Sequence, residues 1–144
     1  MILPDVNVLV YAYREETAGH GEYREWLESA INADSAFGLS DLVLSGFLRV
    51  VTHPRALVPP SPPAHAAQFV EVLRGRPNRV AVTPGPDHWR IFRRLCDESG
   101  AKGNLVPDAY LAALAIERGC EWITTDRDFA RFSGLRWRHP LHPA

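Results

Sequence analysis

Asn104-Leu105-Val106-Pro107-Asp108-Ala109-Tyr110-Leu111-Ala112-Ala113-Leu114-Ala115-Ile116-Glu117-Arg118-Gly119-Cys120-Glu121-Trp122-Ile123-Thr124-Thr125-Asp126-Arg127-Asp128-Phe129 is the stretch on which the reading of this chain turns. Pro107 fits the first turn of a helix, where its missing N–H has no intrahelical partner and its φ is already helical. Asp108 follows in that turn, where the positive end of the helix dipole favours a carboxylate. Ala109 to Arg118 is rich in strong helix formers, and Gly119 is a natural stop. Trp122-Ile123-Thr124-Thr125 then reads as a short buried strand running into Asp126 and Asp128. A helix start and a strand end both offer carboxylates, and their meeting depends on the fold.

Before and after this stretch the same alternation recurs. Met1 to Pro4 is a short apolar entry ending at Asp5. Pro4 lacks a ladder donor, so a strand there should be short or paired on one side at that point. Val6 to Tyr13 suits a buried helix, and His20 to Ile31 sets Tyr23, Trp26, Leu27, Ala30 and Ile31 at helical spacing opposite Glu22, Glu25 and Glu28. Ala36 to Leu39 is a second strand, and Ser40 or Asp41 can cap the apolar helix Leu42 to Val51 that His53-Pro54 ends. The Pro-rich run Val58 to Pro63 is a stiff connector. Ser61 can cap, and Pro62 open, a helix ending before Gly75. Val80 to Val82 is a third strand. Asp87 caps a helix with Trp89, Phe92, Leu95 and Cys96 on its inner face, and Gly134 to Trp137 is a candidate last strand. Strands alternating with helices give an α/β fold, a mainly parallel sheet covered by helices. A length of 144 residues is ordinary for one domain, here residues 1–144.

Composition narrows the function classes. Hydrophobic residues at 46% and charged residues at 23% match a globular protein. No run reaches the length of a membrane span, no basic segment leads into an apolar one at the start, and Cys96 and Cys120 form no framework or CxxC. The expectation is a cytoplasmic protein with both cysteines buried. Net charge is −1, but residues 1–72 carry four Arg and nine Asp or Glu, while residues 73–144 carry eleven Arg, one Lys and eight Asp or Glu. An Arg-rich half suits bidentate contact with phosphate. The histidines include no HExxH or zinc spacing, with His139 and His142 in a tail expected to face solvent. No GxSxG or glycine-rich phosphate loop supports acyl transfer or NTP hydrolysis.

Ligands of parallel α/β sheets gather outside the carboxyl ends of the strands. Asp5 ends the first strand, Asp126 and Asp128 end a later one, and Asp108 opens a helix on that same side. Each aspartate taken singly is explained by capping or a solvated turn; their joint placement is what points to chemistry. Carboxylates about 4 Å apart repel by roughly 4 kcal/mol at an effective dielectric of 20, so a cluster calls for a cation. Oxygen ligands with open positions suit Mg²⁺ or Mn²⁺.

Asp5-Val6-Asn7-Val8-Leu9-Val10-Tyr11-Ala12, Pro107-Asp108-Ala109-Tyr110-Leu111-Ala112-Ala113-Leu114-Ala115 and Thr124-Thr125-Asp126-Arg127-Asp128-Phe129 together resemble the PIN-domain signature, and more narrowly the VapC-type ribonuclease toxins of toxin–antitoxin pairs. The resemblance runs nearly end to end. It implies a three-layer α/β/α sandwich, Mg²⁺ or Mn²⁺ held by Asp5, Asp108 and Asp126, and hydrolysis of RNA phosphodiesters. Asp128 would position the water or a second ion, Asn7 and Thr124 would orient carboxylates, and Arg127 would steer the substrate. It further implies a homodimer and a cognate antitoxin covering the site. Within Leu44-Ser45-Gly46-Phe47-Leu48-Arg49, Gly46 stands where that family usually has Glu, so a catalytically weak module that binds RNA or protein is the alternative. Arg49 matches a basic residue common in the related subgroup. A haloacid-dehalogenase phosphatase is a weaker rival, because its opening motif needs Asp where this chain has Asn7.

Overall fold

Five parallel strands form one sheet in the order β3-β2-β1-β4-β5. The computed structural model describes residues 1–142. The strands are β1 (Ile2–Pro4), β2 (Phe37–Leu39), β3 (Arg79–Ala81), β4 (Glu121–Ile123) and β5 (Trp137–Arg138). The helices are α1 (Val6–Tyr13), α2 (His20–Asn32), α3 (Asp41–Thr52), α4 (Pro63–Arg74), α5 (His88–Ser99) and α6 (Leu105–Arg118). A short 3₁₀ helix, Arg127–Arg131, joins β4 to β5. Every expected element is present, with ends shifted by a residue or two; the last strand moves furthest and keeps only Trp137 of the stretch read from sequence.

β1 is central, with the chain building outward through β2 and β3 before crossing back to β4. Crossovers of parallel strands are right-handed, so reversing direction puts the connecting helices on the other face. α1 packs on α2 and α3, α3 packs on α4, and α5 pairs with α6, which gives the three layers. Pro4 is accommodated as its chemistry requires. β1 pairs with β4 from Ile2 to Pro4, but its register with β2 is only Ile2 opposite Phe37. Leu3, Phe37, Trp122 and Ile123 from the sheet and Leu9, Phe47, Leu95 and Leu114 from the helices are almost wholly buried. In α6 the run Leu111 to Ala115 is buried on every side, with small alanines letting neighbours approach closely. Gly119 ends that helix at φ 65°, a left-handed geometry that a Cβ would strain.

One of the two caps expected for α3 is used, while other local expectations give way to tertiary partners. Ser40, not Asp41, caps α3, its Oγ accepting from Leu42 N at 3.2 Å. Ser61 does not cap α4. Its hydroxyl instead accepts from buried Arg14 at 2.9 Å, and Arg14 also donates to the Pro59 carbonyl at 2.8 Å and pairs with Glu16. Asp87 makes no side-chain cap; its own amide donates to Glu117 of α6 at 2.9 Å, as the Gly85 amide does at 2.7 Å. Trp89 is 65% exposed rather than inward. The buried face of α5 is His88, Ile91, Phe92 and Leu95, one residue out of phase with the sequence reading. Cys120 is buried and Cys96 only partly so. His139 is also partly buried, its ring 3.4 Å from the Tyr23 hydroxyl. No helix among the described residues is long and apolar enough to cross a membrane.

Candidate active site

The chain reverses its direction of sheet building between β1 and β4; Asp5 follows β1 directly, whereas β4 ends at Ile123 and Asp126 lies three residues beyond it, capping the 3₁₀ helix. Asp5 N still donates to the Ile123 carbonyl at 2.8 Å, so the two strand ends are tied side by side. Asp5 is 6% exposed and divides its carboxylate between two tasks. Oδ1 caps α1, accepting from Val6 N at 2.6 Å. Oδ2 accepts from Thr124 Oγ1 at 2.7 Å and from Asn7 Nδ2 at 3.1 Å. Asn7 Oδ1 takes the Thr125 amide at 3.2 Å, Thr124 Oγ1 takes the Asp126 amide at 3.0 Å, and Asp126 Oδ1 takes the Asp128 amide at 2.9 Å. One hydrogen-bonded chain therefore runs from Asp5 through the buried Thr124 to Asp126 and the backbone of Asp128. Asp5 is both a cap and an oriented carboxylate.

The buried helix α6 brings Asp108 to the same place from the opposite layer. A cleft of about 590 Å³ is lined by Asp5, Asn7, Asp108 and Asp126, with Gly46 and Arg49 on the α3 side and apolar side chains between. Not every residue expected at the site lines it. Thr124 stands behind Asp5, fully buried. Asp128 is exposed and faces Arg131 at 3.6 Å. Arg127 is exposed and outside the lining, near enough to His139 to lower its pKa along with burial and His142, burial being the largest cause. Sequence reasoning passed over Arg131, whose charge opposes the rise in the Asp108 pKa; its three-residue spacing from Asp128 on a helical turn was the available signal. Asp41 lines a neighbouring cleft and not this one, so among the described residues no acid of α3 replaces the one absent at Gly46.

A family model described as the PIN domain matches residues 2–135. The chain belongs to the PIN-domain family. Among its relatives, ribonuclease VapC43 of Mycobacterium tuberculosis is 48% identical over 141 residues, covering 98% of this chain and 96% of that protein. Ribonuclease VapC25 of the same species is 43% identical over 140 residues, covering 97% and 99%. The fold is similar to VapBC2 from Rickettsia felis bound to a promoter DNA fragment, with a TM-score of 0.69 and 18% identity over 96% of this chain and 98% of that one. It is also similar to VapC20 of Mycobacterium tuberculosis, a Sarcin-Ricin loop cleaving toxin, with a TM-score of 0.64 and 16% identity over 94% and 99%.

In this PIN domain the carboxylates repel across the cleft. Burial raises the Asp5 pKa to about 6; the bonds from Thr124 and Val6 pull it down, and the charges of Asp108 and Asp126 push it up. Asp108 is raised by burial and then by Asp126 and Asp128, against Arg131. Among the described residues no group of three or more His, Cys, Asp or Glu side chains is placed to hold a metal ion by itself. A hard cation such as Mg²⁺ fits this arrangement, because it binds through one or two carboxylates and retains several waters. Uncompensated negative charge from oxygen donors is the feature such an ion answers.

A raised carboxyl pKa has a definite sign. Folded protein binds the Asp5 proton more tightly than unfolded chain does, so this contribution to stability is full below about 4 and is lost as pH rises through about 6. In protein freed of divalent cations, Asp5 should remove about 1–3 kcal/mol of stability between those limits, at about 1.4 kcal/mol per pKa unit. Melting the parent and Asp5→Asn side by side from acid to neutral pH reads this directly. The melting-temperature gap should widen in favour of the Asn protein as pH rises, and parallel curves would refute the burial argument.

Proposed function

We propose that this chain is a metal-dependent endoribonuclease, the toxin of a toxin–antitoxin pair, acting in the cytoplasm as a single PIN-like unit over residues 1–144. The observation that carries the reading is the meeting of Asp5, Asp108 and Asp126, from three separate segments, in one cleft at the point where the sheet changes direction. The full-length relatives named as ribonucleases support it. A structural neighbour described as a toxin–antitoxin complex from Klebsiella pneumoniae supports a cognate antitoxin as partner, and a homodimer is the expected assembly.

Asp5 and Asp108 would hold Mg²⁺ or Mn²⁺, with Asp126 completing the set directly or through water. When bound, the cation supplies Lewis-acid polarisation of a phosphoryl oxygen and makes water acidic enough to attack at neutral pH. Thr124 and Asn7 keep Asp5 Oδ2 in one orientation, as supporting hydrogen bonds do for ligating carboxylates. Asp128, poised on the backbone bond to Asp126, would position the attacking water. Arg127 would guide RNA towards the cleft from outside, an effect that falls with salt. Hydrolysis by water leaves a 5′-phosphate and a 3′-hydroxyl.

The test is cleavage of structured RNA by purified, antitoxin-free protein with and without Mn²⁺, followed by end-group analysis. Metal-dependent cleavage yielding 5′-phosphate ends is expected. A 2′,3′-cyclic phosphate formed in EDTA would overturn the aspartate assignments. RNA binding without cleavage would favour the alternative that Gly46 suggests, a binding module.

A further inference from the structure

We infer that Arg49 is a phosphate-binding residue of the cleft, seating an RNA phosphate adjacent to the one that reacts over the carboxylates. The inference rests on the ribonuclease reading for its substrate, and on the geometry of α3 for its residue. Leu42, Ser45, Gly46, Arg49 and Val50 all line the cleft that holds Asp5, Asp108 and Asp126. Their spacing of three, four, seven and eight residues is one face of one helix. That face loses its side chain at Gly46 and carries a cation one turn further on.

Arg49 is exposed and, among the described residues, makes no ion pair or side-chain hydrogen bond with an acid. Among the described residues it is also the one cationic side chain lining this cleft. A guanidinium within reach of three crowded carboxylates would pair with them. The charges that act on Asp5 are instead those of Asp108 and Asp126, and those that act on Asp108 are Asp126, Asp128 and Arg131. Arg49 thus lines the α3 side of the same cleft without an ion pair to any of its carboxylates. That cleft, floored by a glycine, has the opposite charges at its two sides that a phosphodiester strand needs. The acidic side meets phosphate only through a bound cation, whereas the guanidinium fork binds phosphate oxygens directly.

Arg49 has a second, purely structural use, because a cation in the last turn of a helix complements its dipole. The two uses separate experimentally. Dipole complementation changes stability and leaves RNA affinity alone. A phosphate-binding arginine sets the salt dependence of RNA binding, and removing it should change the logarithmic slope by about 0.7–0.9.

The experiment compares the parent with Arg49→Gln, Arg49→Lys and Arg55→Gln. Arg55 is an exposed arginine just beyond α3 that does not line the cleft, so its loss matches the charge change without removing the site. Binding of a labelled hairpin RNA is measured in EDTA from about 50 to 200 mM KCl, a range over which phosphate binding is strongly weakened. KM and kcat for the same RNA are then measured with Mn²⁺. Arg49→Gln should lower the slope by the amount expected for one phosphate and raise KM about tenfold, with kcat nearly unchanged. Arg49→Lys should recover the slope but not the full affinity, and Arg55→Gln should resemble the parent. Equal behaviour of Arg49→Gln and Arg55→Gln, or a loss in kcat alone, would overturn the assignment. So would an unchanged RNA slope with weakened antitoxin binding, which gives Arg49 to the protein partner. A parent that binds RNA with the Arg49-dependent slope but never cleaves would sink the ribonuclease reading while leaving Arg49 in place.

Discussion

Asp5→Asn should lower the RNA-cleavage rate by about a thousandfold or more, equivalent to about 4 kcal/mol of transition-state stabilisation. The loss is chemical rather than structural. The Asn side-chain oxygen can keep the Val6 amide bond that starts α1, so the helix cap survives. The lost charge is the one most deeply buried in the cleft, and the one that Thr124 and Asn7 hold in a single orientation. Removing it also removes the repulsion from Asp108 and Asp126, which offsets the bonds from Thr124 and Asn7 that the amide nitrogen cannot accept, so the metal-free variant should melt close to the parent at neutral pH. Millimolar Mn²⁺ should raise the melting temperature of the parent more than that of the variant, by mass action on the folded state. A variant that folds, melts normally and cleaves at the parental rate would remove Asp5 from the chemistry.

Gly46→Glu, the substitution that restores the acid usual in the family, should impair the protein instead of improving it. A Cβ at position 46 would stand 2.9 Å from Val6 Cγ2, closer than real side chains pack. Val6 is β-branched and stiff, and it is the residue whose amide caps onto Asp5. Pressure at Gly46 is thus transmitted to the carboxylate next door. Overpacking of this kind costs about 1–3 kcal/mol of stability. A displacement approaching 1 Å at a reacting group can cost about a hundredfold in rate, so kcat/KM should fall by about ten- to a hundredfold. Gly46→Ala separates steric from charge effects, because it brings the same Cβ with no carboxylate. The alanine protein should share most of the loss. If Gly46→Glu gains activity while Gly46→Ala loses none, the cleft has room for the acid and the packing argument fails.

The order of elements was legible from residues alone because the causes are local. Pro107, the Ala/Leu run and Gly119 bound α6, and apolar spacing marks α2 and α3, since propensity, capping and periodicity act over a few residues. The candidate aspartates were legible for a related reason: each sits at an element boundary where a strand ends or a helix begins. Local signals failed where a partner arrived from elsewhere in the chain. Glu117 accepts from the Gly85 and Asp87 amides ahead of α5 while Asp87 itself caps nothing, Arg14 takes the hydroxyl of Ser61, and packing beneath α5 turns His88 inward and Trp89 outward.

Residue order thus carries the alternating architecture, the element boundaries to within a residue or two except at the last strand, and the aspartates worth watching. It does not carry the placement of β1 beside β4, which is what brings Asp5, Thr124 and Asp126 into one hydrogen-bonded chain across 119 residues of separation between Asp5 and Thr124. Nor does it carry the approach of Gly46 to Val6, or the position of Arg49 in the cleft of the carboxylates without pairing; those belong to the folded molecule. The physical reason is one of range. Helix and strand preferences are written in neighbouring residues, whereas strand order and cleft geometry follow from burying the apolar faces of the whole chain at once, a condition that no short stretch contains.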